Sequence, residues 1–262
     1  MDNHELRARK AKLLLGGLTV LVVGLLTAGG VAAYSLIDDD GGSGTPAAGP
    51  TATGNAKPSS PASPGNGPEM TPERAKKITL NAPTAQKAGA GIGFPHSPGG
   101  AVSAVVHFWE EYAWMDDQRA RQQLDVVTSP DAAGYIDKQI SEVRTLREGA
   151  GLPASGGTPA GITFTTTVEA VRMRSLVDDD LPRGDVVHIW LSFDRYATTP
   201  EKATDDNPIK GDTTDFIVKW QDGAWKLTDE AAYVEQRTFP VAYDPDSPFA
   251  WRDQWIQVRH EE

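Results

Sequence analysis

The sequence contains no cysteine. That absence excludes disulfides, thiolate metal centres, thiol nucleophiles and lipid attachment through a cysteine. It does not fix the compartment, because exported bacterial proteins often do without cysteine. Positive charge is also scarce: 25 Lys and Arg stand against 36 Asp and Glu, a net charge of −11. Four of the basic side chains, Arg7, Arg9, Lys10 and Lys12, crowd near the start, so the remainder is more acidic than the total suggests. Such a chain is repelled by phosphate backbones and anionic lipid head groups, which argues against nucleic acid as a partner.

One long stretch lacks charge altogether. Leu13 to Ile37 reads LLLGGLTVLVVGLLTAGGVAAYSLI, and as a helix it spans about 37 Å, enough to cross a hydrocarbon core of about 30 Å with some tilt. Basic residues precede it and Asp38, Asp39 and Asp40 follow it, so the positive-inside rule predicts a cytoplasmic residue 1–12 segment. A cleaved signal peptide with a small-residue site at Val31 and Ala33 is the competing expectation. The length of the apolar run, continued by Tyr34 to Ile37, favours an uncleaved anchor at 13–37. Gly16, Gly17, Gly24, Gly29 and Gly30 allow close helix pairing, a weak pointer to self-association.

After Asp38, Asp39 and Asp40, the chain from Gly41 to about Glu69 is almost entirely Gly, Pro, Ala, Ser and Thr, and 38–69 has no aromatic residue. No core can be built from this, which predicts a disordered linker reaching roughly 30 Å on average. Residues 70–262 are then the extracytoplasmic domain with a C-terminal tail.

Within that domain Thr71-Pro72 opens a short helix, and Asn81 to Gly93 reads as an extended arm. A longer helix begins at Ser97-Pro98, with Val102, Val105, Val106, Trp109, Tyr112 and Ala113 on one face. A second is capped by Asp117 and runs to about Val127. A third starts at Ser129-Pro130-Asp131, carries Ile136, Ile140 and Val143, and stops at Gly149 and Gly151. The period then changes to two. Ile162, Phe164, Thr166 and Val168 alternate, and Val171 and Met173 resume on the other parity, which predicts a bulge near Glu169–Ala170. After a polar turn at Asp178 to Asp185, Val187, Ile189, Leu191 and Phe193 face one side and His188, Trp190, Ser192 and Asp194 the other. A polar loop from Ala197 to Asp212 leads to Phe216, Val218 and Trp220; Asp222-Gly223 marks a tight hairpin returning through Trp225 and Leu227. Tyr233 to Tyr243 predicts a further strand, near an edge because of Pro240.

Helices followed by antiparallel strands predict an α+β domain. Three helices before a long bent sheet, closed by WQDGAWKLTDEAAY (Trp220 to Tyr233), resemble the cone fold of the nuclear-transport-factor-2-like superfamily. With an anchor and a linker in front, the chain resembles inner-membrane assembly subunits of conjugation and type IV secretion systems, the TcpC family among them. It is also similar to actinobacterial Mce-associated proteins. GFPHSPGGAV (Gly93 to Val102) resembles the opening of the soluble domain in uncharacterised actinobacterial membrane proteins. The resemblance covers about residues 93–235. It implies a non-catalytic scaffold or assembly role with other envelope proteins as partners.

Candidate chemistry is sparse. His107, Glu110 and Glu111 share a helical face but lack HExxH spacing, so a solvated face with one partly buried histidine is expected rather than a metal site. The aspartate triplets at 38–40 and 178–180 lack the alternation and glycine of a calcium loop. The glycines of 151–161 have no P-loop lysine and precede a strand, and no cofactor is implied. Were the cone interior a pocket for proton transfer or a small ligand, Tyr112, His188 and Asp194 are its candidates; simple alternation instead turns the last two to solvent. Of the seven tryptophans, Trp109, Trp220 and Trp225 fall on core faces. Trp190, Trp251 and Trp255, with Arg252, are candidates for a protein interface or for a tail folded back over the sheet.

Overall fold

Alternation of apolar with polar residues builds three 13-residue strands, and these form the body of the domain. They are β4 (Thr163–Ser175), β5 (Val186–Thr198) and β6 (Ile209–Gln221), paired antiparallel in that order. The computed structural model describes residues 76–246 and 253–260. The expected membrane segment at 13–37, the linker at 38–69, the helix start at Thr71-Pro72, and Trp251 and Arg252 lie outside the described residues. Among the described residues no helix is long and apolar enough to cross a membrane.

The remaining elements are β1 (Lys77–Thr79), a hairpin of β2 (Ala85–Lys87) and β3 (Ala90–Ile92), α1 (Pro98–Glu111), α2 (Asp117–Val127), α3 (Tyr135–Gly149), β7 (Ala224–Thr228), α4 (Ala231–Val234) and β8 (Ile256–Arg259). The main sheet has the order β1-β8-β4-β5-β6-β7, antiparallel except for the β1–β8 pair. The domain is therefore α+β with a mostly antiparallel sheet.

Two expected features are present as read. The β4–β5 register shifts between Val168 and Ala170, so both Val168 and Val171 reach the core despite their opposite parity. Asp222 and Gly223 both take positive φ, the geometry of the tight β6–β7 turn.

Helix starts differ in detail. Ser97 caps α1, its hydroxyl accepting from Gly100 N, with Pro98 in the first turn. Asp116, not Asp117, caps α2. The Asp117 carboxylate is instead buried and takes bonds from Arg144, Ser155 and Gly156 N. The third helix begins at Tyr135, later than Ser129-Pro130-Asp131 suggests, because the Asp131 carboxylate is drawn to Lys219 (2.6 Å) and Gln221 (2.8 Å) on β6. The expected extended arm contains the β2–β3 hairpin, turning through Ala88 and Gly89 at positive φ. The loop expected from Ala197 to Asp212 is shorter, since β5 continues to Thr198 and β6 begins at Ile209.

The core lies between α1 and one face of the sheet. Val102, Val105, Val106 and Trp109 of α1 pack against Val168, Ile189, Leu191, Phe193, Phe216 and Val218. Fully burying side chains of this size is worth about 1.5–3 kcal/mol each before entropy is counted. The strand expected over Tyr233 to Tyr243 does not form. Ala231–Val234 is a helical turn, and the place beside β4 is taken by Ile256–Arg259.

Candidate functional site

The site candidates divide between the two faces of the sheet, because β5 alternates. Val187, Ile189, Leu191 and Phe193 point toward the helices, while His188, Trp190 and Ser192 point outward. The outward set is not solvated: His188, Trp190 and Ser192 are 0%, 4% and 1% exposed. The C-terminal segment covers them. Trp255 packs on Trp190 and Ala170, Tyr243 packs beside it, and the Trp255 indole donates to the Val241 carbonyl at 2.9 Å. Arg172 lies over the Trp190 ring and donates to the Asp253 carbonyl at 2.7 Å. Simple alternation cannot reveal a cover supplied by residues more than fifty positions away.

Under this cover His188 Nε2 lies 2.6 Å from Asp215 Oδ2, and Arg237 Nε reaches the same carboxylate at 3.3 Å. Burial pulls the histidine below its usual range and outweighs the opposing bond and charge of Asp215; Arg237 and Arg174 push the same way as burial. The imidazole is thus neutral and donates through Nε2, which leaves its buried Nδ1 without a partner among the described residues. A histidine–aspartate pair is a familiar general base, but among the described residues no hydroxyl is hydrogen-bonded to this one. Ser192, four residues along the same strand, is about 13 Å away. Asp194 is occupied differently: it accepts from Gly211 N (2.9 Å) and the Tyr196 hydroxyl (2.8 Å), bracing the bulge between Phe193 and Arg195.

Tyr112 sits on the opposite, helix-covered face, so the three pocket candidates do not converge. It packs with Phe108 and Trp109 and is buried, with no partner for its hydroxyl among the described residues. Burial raises its pKa, reinforced by Glu142 and opposed by Arg195. Glu142 itself is pushed up to about 7 by burial.

The nearby Arg195 is the residue that sequence reasoning passed over. It is 2% exposed, and its guanidinium carbon lies 4.4 Å from the Trp109 ring centre, 4.5 Å from that of Trp114 and 5.0 Å from that of Phe193. Nε donates to the Thr166 hydroxyl at 3.2 Å, but Nη1 and Nη2 find no acceptor among the described residues. Asp212, opposite Phe193 in the sheet and so on the same face, has one buried carboxylate oxygen likewise unpartnered. Burial raises its carboxyl against the Thr213 N–H and the Arg195 charge. Each such orphaned group costs about 1–3 kcal/mol, more when charged. The signal was present in the sequence: Arg195 has the inward parity of Val187 to Phe193.

No protein-family model, curated protein or solved structure matches this chain. Its chemistry must be read from its own geometry.

The remaining candidate carboxylates serve the backbone. Glu110 accepts from Val168 N at 2.8 Å, filling the hydrogen bond that the β4 bulge leaves open, and Glu111 accepts from Gly91 N at 2.9 Å. His107 stacks on Phe94. Among the described residues no group of three or more His, Asp and Glu side chains is arranged to hold a metal ion. The glycine-rich 151–157 segment is pinned by Arg147, which donates to the carbonyls of Met115, Pro153 and Gly157.

Proposed function

We propose that this chain is a membrane-anchored envelope protein whose domain is a non-catalytic scaffold or assembly module. On this proposal residues 13–37 anchor it with the N-terminus inside, residues 38–69 form the leash, and the domain works outside the membrane. The finer fold assignment we propose is a nuclear-transport-factor-2-like cone, which the two strand bulges and the packing of α1 against one sheet face support.

One observation carries the functional part. The central strand β5 is covered by protein on both faces from Val186 to Phe193: the aromatic core lies on one side and the chain's own C-terminal segment on the other. His188 and Asp194 are thereby committed to internal bonds, and what the domain offers a protein partner is its exterior. Among the described residues, Val177, Phe239 and Val241 are the large apolar side chains most exposed there. The partners implied by the resemblance to conjugation, type IV secretion and Mce-associated proteins are other envelope proteins or a second copy of the chain. A photo-crosslinking residue at Phe239, introduced in cells making the full chain, tests this. Discrete adducts with an envelope protein or with the chain itself are expected. Cells that yield neither would sink the proposal.

A further inference from the structure

The feature that a scaffold role leaves unused is the set of unpaired polar atoms on the helix-covered face. Arg195 Nη1 and Nη2, the Tyr112 hydroxyl, Trp109 Nε1 and Asp212 Oδ2 are all buried, and none has a hydrogen-bond partner among the described residues. Arg147 shows how this chain treats an arginine needed only for structure, giving it three backbone carbonyls. Arg195 receives one hydroxyl and a box of aromatic rings. The rings surround the guanidinium and leave Nη1 and Nη2 uncommitted among the described residues.

We propose that this face is a binding site for a small monocarboxylate with an apolar body, gripped by the two terminal nitrogens of Arg195 and the Tyr112 hydroxyl. The planar fork of a guanidinium matches a carboxylate with two parallel bonds. Phe108 and Trp109, each in ring contact with both Phe216 and Tyr112, supply apolar walls with Phe216 for the rest of the molecule. The carboxyl of Asp212 lies beside the arginine and that of Glu142 beside Tyr112. They disfavour a multiply charged anion such as phosphate far more than a singly charged one. The atoms are closed to solvent in this conformation, so entry requires displacement of a neighbour. Helix α3, which follows Gly134 in left-handed backbone, carries Glu142 toward Tyr112. The site is distinct from the outer face that the assembly role would use, so either proposal can fail alone.

The test is calorimetric titration of the full-length chain with hexanoate, with hexanol and inorganic phosphate as comparisons, alongside melting curves. Saturable binding of hexanoate, a matching rise in melting temperature, and no saturable binding of hexanol or phosphate are expected. Arg195→Gln should weaken hexanoate about 10–100-fold and Tyr112→Phe about tenfold. Should Arg195→Gln not fold, Tyr112→Phe decides, since it removes one oxygen and keeps the ring. A folded wild-type chain that does not bind hexanoate overturns the proposal. So does hexanol or phosphate binding as well as hexanoate, or affinity unchanged in Tyr112→Phe.

Discussion

Asp117 and Gly100 show how single positions hold this domain in shape. Burial alone would raise the Asp117 carboxyl, but bonds from Gly156 N, Arg144 and Ser155 outweigh it and hold the group below its ordinary 3.8. A depressed carboxyl stabilises the fold fully above the unfolded value and loses that contribution as pH falls through the folded one. Asp117→Asn should therefore cost about 2 kcal/mol at neutral pH. Its urea midpoint should converge on that of the wild type in strong acid; a constant gap across pH would refute the assignment. Gly100 is constrained by space and not by φ: a methyl group there would collide with the Pro95 carbonyl, the acceptor of the Trp225 indole bond. Gly100→Ala should destabilise by about 1–3 kcal/mol, read as a lower melting temperature with altered tryptophan fluorescence. Neither role was legible beforehand. A sequence displays residue type and period, whereas these depend on which atoms meet across long separations. Arg195 differs, because a charged residue at an inward position is visible in the strand pattern alone.

Among the elements, the long strands and the three helices followed from periodicity, and even the β4 bulge was visible as a parity change at Glu169–Ala170. The C-terminal segment was not. Tyr233 to Tyr243 has strand-like composition, but the sheet position beside β4 is filled by β8. Propensity is overridden where a competing segment buries more. Trp255 anchors that segment, and Trp255→Ala should cost about 3–5 kcal/mol. Hydrogen exchange should quicken over residues 236–246 and 253–260 while the β5 amides near Leu191 stay slow; uniform loss of protection would argue against a separable cover. The same segment should respond to acid. His188, lowered by burial from 6.5, contributes stability that is present above that value and lost as pH falls through its folded pKa. Arg174, Arg237 and Asp215 are its charged neighbours, and the His188→Gln chain should lose this part of the pH dependence in melting curves.

For the molecule as a whole, absence of cysteine becomes an experimental advantage. On the proposed topology, Val177→Cys, at a position 70% exposed, should react with a membrane-impermeant maleimide in intact cells. Labelling only after lysis would invert the orientation. The sheet order has one more consequence. Strand β1, the first described strand, joins the domain's sheet only through β8, the last: Gln257 N donates to the Lys76 carbonyl, and Lys77, Ile78 and Thr79 pair with Gln257, Val258 and Arg259. Tension applied from the N-terminal side of Lys77 thus meets a short parallel ladder before it reaches β4 and β5. Loaded along the strand, several hydrogen bonds must shear together. The two ends of the described chain act as a buckle, and undoing it would lengthen the line while leaving the central strands intact.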